Sequence, residues 1–375
     1  MDFLRRLRRP AAPASTSAPA TAAATAPPPE PSQAQGARRL SLALQGGGAH
    51  GAFEWGVLDR LLEEDDIVVA AVTGASAGAM NAVALASGLA SGGREGARGS
   101  LDRFWRAVNQ AGGRNVFGDS ALWTAAFNPR WLRANPFFRR FETLMLSASP
   151  YEFNPFNLNP LHDVLNETVD FQAVRDAPIE VYISATDVQD ARLKVFTGPE
   201  LTNEMVLASA ALPFLFQAVE VDGRPYWDGG YLGNPALWPL IDSDTAPGDI
   251  LLVTLNPFHR EETPKTPGQI MDRLNEIAMN ASLVAELRAL SFLRRLIEED
   301  QLTETAKAQY RHTRLHAIDA DHALKDLSLA SKFNTEWTFL TDLRERGRKA
   351  ADVWLATHFD DVGARSSFDP RELYS

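Results

Sequence analysis

The chain has 375 residues, 45% of them hydrophobic and 23% charged, with no cysteine and a formal net charge of −11. Such a length supports a large buried core in one or two domains, and the lack of cysteine excludes disulfides, thiol nucleophiles and thiolate metal centres while fitting a reducing compartment. The acidic balance argues against a general nucleic-acid partner, and no apolar stretch reaches the roughly 20 residues of a membrane span.

Residues 1–40 carry Arg5, Arg6, Arg8, Arg9, Arg38 and Arg39 against Asp2 and Glu30, so the remainder is more acidic than the total. No apolar core follows Arg9, which argues against a secretory signal peptide. The basic opening can meet an anionic membrane surface, but a solvated end is the plainer reading. Residues 10–35 are mostly Pro, Ala, Ser and Thr, with little to bury, so residues 1–38 read as a disordered tail.

Leu40 to Leu44 reads as the first strand and runs straight into Gly46-Gly47-Gly48-Ala49-His50-Gly51. Residues 52–64 follow with apolar side chains at helical spacing: Phe53, Val57, Leu58, Leu61 and Leu62. A second apolar run, Ile67 to Thr73, leads into Gly74-Ala75-Ser76-Ala77-Gly78 and then into small residues that can open a helix. This βαβα start favours a parallel sheet covered by helices.

Residues 100–146 are rich in aromatic side chains: Phe104, Trp105, Trp123, Phe127, Trp131, Phe137, Phe138 and Phe141. They could line an acyl-chain pocket or a membrane-facing cap, although ordinary core packing explains most of them. Residues 150–160 are loop-like, with Asn-Pro turn signals. Two strands are expected at 179–186 and 193–197, a short helix at 202–212, and a hairpin turning through Asp222-Gly223. Residues 250–255 read as a buried strand, 269–299 as a long amphipathic helix, 315–318 as a last strand and 333–358 as largely helical.

The pattern around Ser76 is G-x-S-x-G at a strand-to-helix turn, which would hold the hydroxyl out at the mouth of a pocket. A serine needs a base to take its proton and donors to receive the oxyanion. The run Gly46-Gly47-Gly48 leaves backbone N–H groups free at a helix N-terminus, a favourable anion site. Its spacing also satisfies the G-x-G-x-x-G dinucleotide fingerprint. That reading expects an acidic residue after the second strand, whereas Asp65 and Asp66 precede it. The third element is Asp228-Gly229-Gly230, an aspartate that a tight turn can present into a cleft.

With these three elements in this order, the chain resembles the patatin-like phospholipase family. The matching residues are Gly46 to Gly51, Gly74 to Gly78 and Asp228 to Gly230, with Ala208-Ser209-Ala210-Ala211-Leu212-Pro213 like the family's helix before the aspartate. The third motif has Asp-Gly-Gly where many members have Asp-Gly-Ala, a minor departure. The resemblance implies a three-layer α/β sandwich with a mainly parallel central sheet and a helical C-terminal extension. It places the patatin-like domain at residues 40–241 and leaves 242–375 as a mostly helical region packing on or beside it.

The resemblance further implies a Ser–Asp dyad: Ser76 as nucleophile, Asp228 as general base, and the amides of Gly46, Gly47 and Gly48 as the oxyanion hole. Gly51, Gly74, Gly78, Gly229 and Gly230 complete the motifs. The substrate would be a lipid carboxyl ester, from a phospholipid or lysophospholipid, with no cofactor, metal or nucleic acid. The expected location is the cytoplasm, with peripheral membrane contact open and oligomeric state undetermined. Two alternatives stay open: a lipid-binding regulatory module with weak catalysis, and a Ser76–Asp228–His259 triad. His259 lies in a polar, surface-like stretch, His50 beside the glycine run either lines the site or fills space, and His312, His316 and His322 lack zinc-ligand spacing.

Overall fold

The computed structural model describes residues 37–113, 149–303, 313–327 and 329–373. The readings for the N-terminal tail, for His312 and for the aromatic side chains from Trp123 to Phe141 lie outside those residues. In chain order the main elements begin with β1 Arg38–Leu44, α1 Gly51–Leu61, β2 Ile67–Gly74 and α2 Ala77–Gly113, which kinks at Gly92 and Gly93. Short helices α3 Pro150–Phe153, α4 Pro160–Thr168 and α5 Phe171–Arg175 lead to β3 Glu180–Asp187, β4 Arg192–Thr197 and α6 Asn203–Ser209. The hairpin of β5 Val219–Val221 and β6 Arg224–Asp228 turns through Asp222 and Gly223, both at positive φ. Next come α7 Trp238–Asp242, β7 Asp249–Thr254, α8 Pro267–Glu298, β8 Arg314–Asp319, α9 Asp321–Leu324 and α10 Trp337–His358.

All eight strands form one sheet in which β3, β2, β1, β7 and β8 are successive parallel neighbours. Strand periodicity sends alternate side chains to opposite faces, and the two faces bury separate cores. Leu42, Leu44, Leu251 and Val253 pack against α1, α2 and α10 through Phe53, Met80 and Leu340, while Ala43, Ile250 and Leu252 pack against Leu240, Leu283 and Leu287 of α7 and α8. The molecule is therefore a three-layer α/β sandwich with a mainly parallel sheet, and helices α8 and α10 give the C-terminal region its helical character. Strands β7 and β8 also come from beyond residue 241, so the later part of the chain completes the sheet. Among the described residues, no helix is long and apolar enough to cross a membrane.

One detail of the pairing brings the serine and aspartate turns together. Strand β4 lies antiparallel along β3 from Tyr182 to Asp187. Strand β2 pairs β3 at 180–183 and β6 pairs it at 185–187. Since β4 already occupies one edge of β3, β2 and β6 must share the other. They approach each other along it, β2 ending at Gly74 opposite Ile183 and β6 ending at Asp228 opposite Ala185.

Candidate active site

Beyond Gly74 the chain turns through Ala75 and Ser76 into α2. Ser76 has φ of 52°, the left-handed region, which costs a non-glycine residue roughly 1–3 kcal/mol. Its neighbours hold it there. The Ser76 N–H donates to the buried Ser209 Oγ at 2.9 Å, Gly78 N–H donates to the Ala75 carbonyl at 2.8 Å, and Met80 N–H to the Ser76 carbonyl at 3.1 Å. Gly74 and Gly78 let α2 start hard against the sheet, because a Cβ on Gly74 would strike the Gly78 backbone and one on Gly78 the Leu44 carbonyl.

Strand β6 delivers Asp228 from the opposite direction. Its N–H donates to the Ala211 carbonyl at 2.9 Å, and its carbonyl accepts from Thr186 Oγ1 at 2.8 Å. Asp228 is 1% exposed. Oδ1 accepts from Gly230 N–H at 2.7 Å, while Oδ2 has no hydrogen-bond partner among the described residues. Burial pushes the Asp228 pKa up to about 6; the Gly230 N–H, the Ser76 hydroxyl and the Lys332 cation pull against that rise. The Ser76 hydroxyl thus stands at this carboxyl, though short of a full hydrogen bond. Gly229 lies directly on the Ser184 carbonyl, and a Cβ on Gly230 would come within 2.9 Å of Asp228 Oδ1.

The glycine run forms the third wall. A Cβ on Gly46 would stand 2.8 Å from Ser76 Cβ, so this strand end passes the serine as bare backbone. Gly46 N–H donates to Asn234 Oδ1 at 2.6 Å, and its carbonyl accepts from Asn256 Nδ2 at 2.9 Å. The expectation of three loop amides facing an oxyanion changes at this residue, whose N–H is committed to Asn234. Gly47 and Gly48 open the helical turn Gly48–His50 that runs into α1, where backbone donors have no intrahelical acceptor. Gly48 has φ of 59°, and a Cβ on Gly51 would meet Ala77 Cβ at 2.7 Å. Ser76, Asp228 and the glycine run therefore converge at the C-terminal ends of β1, β2 and β6, at the carboxyl-end edge where open α/β sheets present their clefts.

Several residues of this construction carry no motif. Gln45 Oε1 accepts from the N–H groups of Leu255 and Asn256 at 2.7 and 2.8 Å, and its Nε2 donates to Asn280 Oδ1 at 2.8 Å. Asn234 holds Gly46 and donates to the Met279 carbonyl at 3.0 Å. Lys332 Nζ donates to Asn256 Oδ1 at 2.6 Å and Asn275 Oδ1 at 3.2 Å. The only signal available in the sequence was weak: asparagines just after a strand or a turn, at 234 and 256.

The histidines fall elsewhere. His50 is buried behind the loop, with Nε2 at 2.7 Å from Ser331 Oγ; burial and the Lys332 cation lower its pKa to about 3, so it stays neutral. The side chain of His259 is exposed on the loop after β7. His316 is buried between Ser367 Oγ at 2.8 Å and Asp249 Oδ1 at 3.1 Å. That set has the composition of a triad, but Asp249 begins β7, which runs parallel to β1 and β2 and so puts it at the opposite end of the strands from Ser76.

The family model for patatin-like phospholipase matches residues 42–241. Among solved structures, the crystal structure of VipD from Legionella pneumophila is similar at 15% identity and a TM-score of 0.35, over 86% of this chain and 67% of that one. No curated protein sequence matches the chain.

Proposed function

The chain belongs to the patatin-like phospholipase family, and on that premise we propose that it hydrolyses carboxyl esters of phospholipids or lysophospholipids through a Ser76–Asp228 dyad. The observation that carries this reading is the Asp228 carboxyl. It is buried at the serine turn with one oxygen unpartnered, and its pKa near 6 suits a base working close to neutrality.

In the proposed reaction, Asp228 accepts the Ser76 proton as Oγ bonds to the ester carbonyl carbon. The carbonyl electron pair moves onto oxygen, where the N–H groups of Gly47 and Gly48 receive the charge. Collapse of this adduct breaks the ester C–O bond, and the departing alkoxide takes the proton from Asp228. A water molecule, deprotonated by Asp228, then attacks the acyl-Ser76 carbonyl. The second adduct releases the fatty acid and returns the proton to Ser76. Exposed apolar side chains on segments that also contribute contacts to the site support contact with a lipid surface during this cycle: Phe214, three residues beyond Ala211, and Ile270, Leu274 and Ile277 on α8, the helix of Asn275 and Met279.

A triad through His259 gains no support from this geometry, since among the described residues the hydrogen bonds of Asp228 run to Gly230, Ala211 and Thr186. The test is labelling with a fluorophosphonate together with hydrolysis of a short acyl ester and of a mixed phospholipid extract. Wild type is expected to label and to release fatty acid, while Ser76→Ala does neither. Substantial turnover by Ser76→Ala would overturn the mechanism, and lipid binding by a wild type that resists the probe would mark a binding module instead.

A further inference from the structure

We propose that Lys332 is a positioning residue of this acyl-transfer site, acting through Asn256 on the Gly46–Gly47 peptide to strengthen the oxyanion donor at Gly47. The inference rests on the reading of the site as a serine hydrolase, and it assigns a role in that site to a residue outside the family's matched segment of 42–241.

The geometry runs along one chain of hydrogen bonds. Lys332 lies in the helical turn Leu329–Phe333, whose backbone packs directly on the glycine run: a Cβ on Gly48 would stand 2.5 Å from the Lys332 carbonyl oxygen. Its ammonium donates to Asn256 Oδ1 at 2.6 Å. The same Asn256 amide donates from Nδ2 to the Gly46 carbonyl at 2.9 Å, and that carbonyl belongs to the peptide whose N–H is Gly47's. A cation at the far end of an amide draws electron density through it. Hydrogen bonds linked in series reinforce one another in a low-dielectric interior, so the Gly47 N–H becomes a stronger donor as negative charge develops on the substrate oxygen.

The hydrogen bonds also fix the loop. Gly46 is gripped at both ends of its peptide groups, by Asn234 on its N–H and by Asn256 on its carbonyl. The Asn256 backbone is itself anchored by its N–H to Gln45 Oε1, and its side-chain amide bridges the Gly46 carbonyl and Lys332 Nζ. Asn275 of α8 supplies the second acceptor for Nζ at 3.2 Å. Among the described residues the ammonium's hydrogen bonds run to these two neutral carbonyl oxygens, while Glu276, Asp228 and Asp272 act on it electrostatically.

Charged groups facing Lys332 come from several elements. Glu276 and Asp272 on α8 and Asp228 at the end of β6 favour its protonated form; Arg260 and, above all, burial oppose it, bringing its pKa down to about 8. Glu276 is itself engaged by Arg260 at 2.6 Å and Arg273 at 3.0 Å. His50, the other titratable neighbour, stays neutral throughout the working range.

The experiment compares Lys332→Met and Lys332→Arg with wild type on a soluble short-chain ester, over a pH series, with Ser76→Ala as the blank. Lys332→Met is expected to lose about tenfold in kcat with KM within about twofold, less than the loss of a direct oxyanion donor. Wild-type kcat should fall on the alkaline side near the lysine's pKa of about 8. That limb should be missing in Lys332→Met and displaced upward in Lys332→Arg, which keeps its charge and should recover most of the rate. A purely structural lysine would lower the amount of folded protein without moving the limb. If Lys332→Met does not fold, the arginine variant decides alone, because an active Lys332→Arg with an unmoved alkaline limb overturns the proposal. Turnover by Ser76→Ala would instead sink the hydrolase reading beneath it.

Discussion

At the scale of single residues, Asp228 would set the pH behaviour of the proposed dyad. Its pKa is raised from 3.8 to about 6, chiefly by burial, so the base form that the proposed mechanism needs to accept the Ser76 proton is lost as pH falls through about 6. The kcat/KM for a short acyl ester is expected to decline on that limb, and a limb at the ordinary value of about 4 would show a solvated carboxylate instead. The same shift has a consequence for stability. A group whose folded pKa is raised holds its proton more tightly in the native state, so its favourable contribution is present in acid and disappears as pH rises through about 6. Ionised Asp228 thus costs the native fold on the order of 3 kcal/mol at neutral pH. Asp228→Asn should be inactive yet melt higher than wild type at neutral pH, with the gain shrinking in acid. A variant that melts lower at both pH values would contradict this account.

At the scale of elements, the site depends on two strands meeting on one edge of β3 and on α6, which holds both of its residues. Ser209, the last residue of α6, accepts the Ser76 N–H, and Ala211, two residues on, accepts the Asp228 N–H. Ser209→Ala should leave the Ser76 amide unsatisfied next to its strained turn, at about 1–3 kcal/mol. The expected result is a lower melting temperature together with fluorophosphonate labelling slowed by about tenfold, and unchanged labelling would mean that the turn holds without α6. The strands at 179–186 and 250–255 are legible because buried strands announce themselves by composition, and the stretch Ala208 to Pro213 was legible through its resemblance to the family's helix before the aspartate. What it did was not. The meeting of β2 with β6 follows from pairing across more than 150 residues of chain, from Gly74 to Asp228, and no local pattern encodes a shared edge.

At the scale of the molecule, the motifs lie within residues 42–241, but the structure that supports them does not. Ser76, Asp228 and the glycine run could be read from their motifs, with their proposed roles as nucleophile, base and oxyanion donors implied by the family resemblance those motifs carry. Lys332 and Asn256 could not, since an amide that braces a loop from behind can be recruited from almost any nearby segment. Beyond residue 241, β7 pairs β1 from Ser41 to Leu44, β8 pairs β7, and α8 seals one face of the sheet through Leu283, Leu287 and Leu290. A chain ending at Ile241 would expose the β1 edge and the apolar side chains of that face, a combination that promotes strand-edge association. It would also lose the Asn256 contact to the Gly46 carbonyl. Such a truncation is expected to be insoluble, or soluble without a cooperative melting transition, and to resist fluorophosphonate labelling at Ser76. A truncated chain that melts cooperatively and labels at the wild-type rate would show that the family's matched segment folds and reacts alone, leaving β7, β8 and α8 as additions to a finished site.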